Sequence, residues 1–282
     1  MTIRIFDEPK IDCHNHILDP RRFAYQAGTP YRPARQEVAT ADQFRLVMDA
    51  YGVRRALIVG PNSGYGIDNR CLLDAVARSD GRAKGIAVVA LDCGTAQLQR
   101  LKAAGIVGIA FNATFQLHSV AYYMGTRDLL ARLADLDLFL QIQVAGDMLA
   151  GMMPLIEGSN VRLLVDHCGR PVIANGVRQP GFQALLALGR SGRAAVKLSG
   201  HQKFSDEAYP YRDTMPFVHA IIDAFGAGAC MWGSDWPFLR ATERIDYGPL
   251  LTLAERLFPD PAVRRKILWE TPCRLFGFDP NV

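Results

Sequence analysis

The chain has 282 residues, 49% of them hydrophobic, and 32 Lys+Arg against 28 Asp+Glu. That mild positive charge is spread without long runs, which argues against nucleic acid or a membrane surface as a partner, and no apolar run reaches the roughly 18 residues of a spanning helix. Six cysteines without CxxC or regular spacing read as buried free thiols, and with no signal-peptide pattern the expectation is a soluble cytoplasmic protein.

Residues 10–16, Lys-Ile-Asp-Cys-His-Asn-His, read as a first strand. With a side-chain period of two, Asp12, His14 and His16 fall on one face and Ile11, Cys13 and Asn15 on the other. Two imidazoles so placed can converge on one metal ion, oxyanion or proton. Taken alone the pair reads equally well as one histidine in a polar network and one at the surface. The loop over 17–41, with Tyr31 and Arg32, is long for a scaffold connection and could cover a site.

A helix over 41–51 presents Phe44, Val47 and Met48 on one face and ends at Gly52. Strand two covers 55–59. The glycine-rich loop 60–66, which contains Ser63, lacks both GKS/T and GxGxxG spacing, so it is a poor phosphate cradle. A helix over 68–79, strand three at 85–89, a helix over 97–104 and strand four at 106–112 follow. Next come a helix over 129–136, strand five at 138–144, a helix near 146–157 and strand six at 161–167. A turn of Cys168, Gly169, Arg170 and Pro171 leads to a helix over 181–188 and strand seven at 194–200. A polar loop with His201, Lys203 and Tyr211 precedes a helix through Val218 and Ile221. Strand eight covers 230–235, and helices near 248–258 and 261–270 close the chain.

Eight strands alternating with eight helices, without a linker or composition shift, predict a single (β/α)8 TIM barrel over 1–282 with an extra C-terminal helix. A doubly wound open sheet is the alternative, but it would usually carry a nucleotide loop at its first turn. In a barrel, reactive groups sit at the C-terminal strand ends. His14 and His16 end strand one, His167 ends strand six, and Asp235 ends strand eight, which neighbours strand one. Four imidazole or carboxylate groups at three such ends predict a shared site.

His14-x-His16, Val165-Asp166-His167-x-Gly169-Arg170-Pro171, Lys197-x-Ser199-Gly200 and Met231-Trp232-Gly233-Ser234-Asp235-Trp236-Pro237 resemble the amidohydrolase superfamily. Within it they are most similar to the branch of TIM-barrel lactonases that includes the pyrone-dicarboxylate lactonases. The resemblance implies a hydrolase that opens a lactone of aromatic or sugar-acid breakdown. It implies Asp235 as general base on water, returning the proton to the leaving oxygen, with His14, His16 and His167 polarising the carbonyl. The familiar metal-binding pattern of the superfamily adds a strand-five His and often a strand-four Lys or Glu. Here strand five carries Gln141 and Gln143, and strand four Asn112. Metal-free chemistry, with no cofactor required, is therefore the expectation. The alternative is one divalent zinc on His14, His16, His167 and Asp235.

The partner expected is a small-molecule lactone; nothing in the sequence fixes the oligomeric state. Expected substrate contacts are Tyr31, Arg32, Ser63, Asn112, Gln143, Arg170, His201, Lys203, Tyr211 and Arg240, each of which could equally be solvated or structural. Arg170, for instance, could simply pair with Asp166. Two carboxylate-holding arginines of the pyrone-dicarboxylate lactonases fall here at about Ala110 and at Lys203. A lactone with fewer anionic groups, or a sulfonate, fits that change better. Two other readings are a metal-dependent decarboxylase of the same superfamily, which would want a strand-five His, and a catalytically dead barrel that serves as a binding protein.

Overall fold

Apolar runs of β-branched residues form eight parallel strands, each hydrogen-bonded to the next in sequence order. The computed structural model describes residues 4–116 and 118–281. The strands are β1 (Lys10–Asn15), β2 (Val53–Val59), β3 (Ala83–Ala87), β4 (Ile106–Asn112), β5 (Phe139–Gln143), β6 (Arg162–Val165), β7 (Ala194–Leu198) and β8 (Cys230–Trp232). Beyond the end of β8, Asp235 N donates to His14 O at 2.7 Å and His16 N donates to Trp236 O at 2.8 Å. These two bonds bring the chain after β8 onto β1 and nearly close the barrel.

Between and after the strands run α1 (Ala41–Ala50), α2 (Arg70–Ala77), α3 (Thr95–Ala103), α4 (Arg127–Asp135), α5 (Met148–Glu157), α6 (Pro180–Arg190), α7 (Met215–Phe225) and α8 (Tyr247–Leu257). The start of α1 shows how sequence sets the boundary. Thr40 Oγ1 accepts from Gln43 N at 3.2 Å while Gln43 Oε1 accepts from Thr40 N at 3.1 Å, a reciprocal cap that satisfies two orphan donors. Phe44 and Met48, one turn apart, then face the sheet and are buried.

The core has two parts. The larger fills the space between strands and helices; the smaller, with Ile11, Cys13, Leu57, Ile86, Leu164 and Met231, also takes in Trp269, Cys273 and Phe276 from the chain end. The terminal helices Pro261–Arg265, Lys266–Glu270 and Thr271–Phe276, the middle one a π-helix, close the N-terminal mouth of the barrel. Lys84 in β3 donates to Phe276 O and Arg162 at the start of β6 donates to Leu275 O, at 2.5 and 3.2 Å. All six cysteines are free and buried. Among the described residues, no helix is long and apolar enough to cross a membrane.

Several local expectations change. The loop 60–66 contains a short helical turn, Asn62–Tyr65. Strand three runs over Ala83–Ala87 and not 85–89. Strands six, seven and eight stop earlier than predicted, at Val165, Leu198 and Trp232. Just past these ends His167, Gly200 and Asp235 adopt φ of 49°, 64° and 62°, the left-handed region, where a strand cannot continue.

Candidate active site

Strand one does not alternate as predicted. A register shift between Asp12 and Asn15 is the signature of a β-bulge, which re-aims side chains. Asp12 is turned away from the histidines: its Oδ1 accepts from His14 N and Ser234 N at 3.1 and 2.9 Å. Its Oδ2 accepts from Ser234 Oγ at 2.5 Å and from the Tyr247 hydroxyl at 2.9 Å. Asp12 therefore braces β1 against the end of β8 and α8, while His14 and His16 enter the barrel mouth.

There the strand-end groups meet. Nε2 of His14, His16 and His167 lie 3.8, 3.8 and 3.7 Å from Asp235 Oδ1. Each Nδ1 is engaged on the far side: His16 with Val59 O at 2.8 Å, His167 with Ser199 Oγ at 2.9 Å, and His14 with Asp166 Oδ1 at 3.3 Å and Lys197 Nζ at 3.2 Å. Asp235 Oδ2 is held by Gln202 Nε2 at 2.9 Å and Lys203 Nζ at 3.0 Å. Burial drives the His14 and His167 pKa values well below the ordinary range and lowers that of His16, against the opposing pull of Asp235 on His16. The rings are thus neutral near pH 7, the form that binds metal.

Two glycines make room for this cluster. A Cβ at Gly200 would stand 2.4 Å from His167 Nδ1, and one at Gly233 would stand 2.7 Å from His14 Cβ. Gly200 also has φ of +64°, which only glycine adopts without cost. Sequence reasoning quoted both within motifs but gave them no role.

The donor set fits a divalent cation. His14 Nε2 is fully buried and has no hydrogen-bond partner among the described residues, an orphan that a bound group would satisfy. His14, His16 and Asp235 offer atoms within 4.8 Å of one another, and the engaged Nδ1 atoms are the outer-shell bonds that aim imidazole ligands. Strand five supplies no ligand. Gln141 instead donates to Asp166 Oδ2 at 2.8 Å and accepts from Lys197 Nζ at 2.5 Å. Lys197 also pairs with Asp166 Oδ1 at 3.1 Å. This buried layer supports His14 from below.

His16, His167 and Asp235 of the cluster line a cavity of about 250 Å³. Of the expected substrate contacts, Ser63, Asn112, Gln143, Arg170, Lys203 and Arg240 line it. Asn112 and Gln143 both bond Thr114, through contacts of 2.8 and 3.1 Å to its hydroxyl. Lys203 is committed to Asp235 and to Leu239 O at 3.1 Å. Arg240 lies 4.2 Å over the Tyr31 ring, whose hydroxyl donates to Glu37 at 2.5 Å.

Arg170 does not pair with Asp166. Among the described residues its side chain makes one long hydrogen bond, 3.4 Å from Nη1 to Thr114 Oγ1, and its buried Nε has no partner. Four expected contacts lie outside the cavity lining. Tyr31 stands behind Arg240, Arg32 is exposed, Tyr211 is 1% exposed, and His201, 5% exposed, bonds Thr214 Oγ1 at 3.2 Å. The last two were picked for residue type in a polar loop, but the loop folds inward there. Gln202, which the sequence did not single out, reaches Asp235 from this loop together with Lys203.

Comparison with known proteins identifies the family. The amidohydrolase family pattern matches residues 11–278. The chain belongs to the amidohydrolase family. It is 34% identical over 274 residues to the 4-sulfomuconolactone hydrolase of Rhizobium radiobacter, covering 94% of this chain and 89% of that protein. The crystal structure of a probable 2-pyrone-4,6-dicarboxylic acid hydrolase from Acinetobacter baumannii, with citric acid bound, superimposes with a TM-score of 0.82. It is 25% identical and covers 95% of this chain and 99% of that one. An amidohydrolase from Burkholderia multivorans with bound zinc shares the fold, with a TM-score of 0.75, 21% identity and coverage of 96% and 99%. The chain is an enzyme, a hydrolase of the amidohydrolase–lactonase type.

The expectation that no cofactor is required is overturned. The His and Asp donors gather within ligand reach of one another, and a protein of the same fold carries zinc. Amides on strand five weighed too heavily in that expectation, because His14, His16 and Asp235 stand within ligand reach of one another without them.

Proposed function

We propose that this enzyme hydrolyses a small anionic lactone, with a divalent cation held by His14, His16, His167 and Asp235. The observation that carries the reading is the convergence of three Nε2 atoms on Asp235 Oδ1 at the floor of a cavity walled by Arg170, Lys203 and Arg240. The metal dependence that the sequence attached to the decarboxylase reading is thereby joined to the lactonase reading.

When bound, a divalent cation at these donors lowers the pKa of water and polarises a carbonyl. The chain does the rest. Asp235 takes a proton from the attacking water, whose oxygen adds to the lactone carbonyl carbon. The ring C–O bond then breaks, and Asp235 returns the proton to the departing alkoxide, giving a hydroxy acid. Gln202 and Lys203 hold Oδ2, leaving Oδ1 as the oxygen directed at the histidines. Arg170, with a buried Nε lacking a partner, suits a carboxylate or sulfonate on the substrate. The likeness to 4-sulfomuconolactone hydrolase supports a lactone of that charge class.

The test is acid release, read by pH indicator, on a panel of anionic and neutral lactones. Chelator-treated protein is compared with the same protein after zinc is restored. Hydrolysis of anionic lactones that falls at least about a hundredfold on chelation and returns with zinc is expected. Full activity in the stripped protein would refute the metal assignment, and no turnover of any lactone by the zinc-loaded protein would refute the reaction.

A further inference from the structure

Beside the reaction cavity lies a second chamber of about 240 Å³. The two share Asn62, Ala110, Phe111 and Phe115 as walls. Ala110, on β4, is half-buried, and its methyl group leaves little to divide one space from the other. Chemically the two differ. The reaction cavity is lined by Arg170, Lys203 and Arg240, whereas no Lys, Arg, Asp or Glu lines the chamber.

The chamber wall is mostly rings and aliphatic groups, with the uncharged polar side chains of Gln26, Thr29 and Asn62 on its loop side. His118 and Tyr122 stack at 4.4 Å with their planes 7° apart, and Phe111 and Tyr123 stack at 4.3 Å. His118 Nδ1 bonds the Tyr123 hydroxyl at 2.9 Å, and that hydroxyl accepts from Asn112 N at 3.0 Å. His118 Nδ1 and the Tyr123 hydroxyl are thus engaged within the wall, which leaves ring edges and outer faces toward the chamber. Val88, Val89 and Leu91 complete the wall. At its margin stand Ile67 and Tyr122, 55% and 45% exposed, large apolar groups that water would otherwise be left to cover. For scale, an apolar cavity of about 150 Å³ accommodates benzene.

We infer that this chamber is a specificity subsite that takes an uncharged aryl or branched alkyl substituent of the substrate lactone, carried on a ring atom away from the reacting carbonyl. The inference rests on the lactonase reading. It narrows the substrate to one with an anionic group toward Arg170 and an apolar arm between Ala110 and Tyr122.

Binding separates the two claims, because it needs no turnover. Titration calorimetry on zinc-loaded protein compares 4-hydroxy-4-phenylbutanoate with 4-hydroxybutanoate, the ring-opened acids of a phenyl-substituted and an unsubstituted lactone. The phenyl acid should bind at least about tenfold more tightly, from apolar burial and stacking. Leu91→Trp, which fills the chamber, and Tyr122→Ala, which removes a stacking face, should each cut that advantage below about threefold. Both should leave affinity for the short acid unchanged, with circular dichroism verifying the fold. Equal affinities in the wild type, binding of neither acid, or an advantage that survives both substitutions would overturn the subsite. An intact phenyl preference without hydrolysis of any lactone would overturn only the reaction.

Discussion

Replacing His201 by Asn should remove a separable part of the acid sensitivity of the fold. His201 is 5% exposed and bonds Thr214 Oγ1 at 3.2 Å. Burial pushes its pKa down from 6.5 to about 4, against a weaker opposing effect of the Asp213 charge. The folded value lies below the unfolded one, so the unfolded chain binds more protons between them. Stability is complete above about pH 6.5, falls as pH drops toward 4, and is level again below that. A shift of this size corresponds to about 3 kcal/mol in full, of which about 2 kcal/mol is lost by pH 5. Asn keeps a polar atom near the Nδ1 position but cannot titrate. Urea unfolding of metal-stripped wild type and variant at pH 8 and pH 5 isolates the effect, since protonation of the other histidines is common to both. The wild type should lose about 2 kcal/mol more than the variant between these pH values. A stability gap that stays constant to within about 0.5 kcal/mol would show that His201 does not titrate as its burial requires.

Gly200→Ala places a methyl group 2.4 Å from His167 Nδ1 at a positive-φ position, which should cost about 1–3 kcal/mol and turn the ring off its axis. Zinc content after dialysis should drop along with thermal stability; a variant that keeps full zinc occupancy would show that His167 is not a ligand. Asp235→Asn preserves shape and should lower turnover by about 10²–10⁴-fold with little change in the unfolding midpoint. Retention of most of the activity would remove Asp235 from the chemistry.

Regular apolar periodicity made the scaffold legible. β4 coincides with its predicted span, 106–112, because both sequence neighbours, Gly105 and the Asn112–Thr114 turn, break the strand sharply. The strand-end rule also brought His14, His16, His167 and Asp235 together before any coordinates. What the sequence hid was local backbone geometry. Nothing in a period-two reading signals the bulge that turns Asp12 toward Tyr247. Nor does it signal the left-handed φ of His167 and Asp235. Lys197 was visible as a charged residue inside an apolar strand, a signal for a buried partner, and that partner is Asp166. Gln141 was read only as a missing ligand, although an amide that donates to one member of a charged pair and accepts from the other is a positive role. Residue type alone misplaced His201 and Tyr211, since a polar loop can bury its aromatic members.

The same backbone bonds that nearly close the barrel also fix the site. Asp235 N bonds His14 O, and His16 N bonds Trp236 O, so the carboxylate and two imidazoles belong to one hydrogen-bonded segment. Their mutual distances follow from strand pairing and depend little on flexible side-chain torsions. The left-handed φ at His167 and Asp235 costs on the order of 1–3 kcal/mol per residue, and barrel packing supplies the constraint that holds it. Strain of this kind, held by the rigid part of the fold, keeps three imidazole Nε2 atoms 3.7–3.8 Å from Asp235 Oδ1. An arrangement selected for folding alone would have let His14 Nε2 find a protein partner. Its orphaned state is the price of a site open to a ligand.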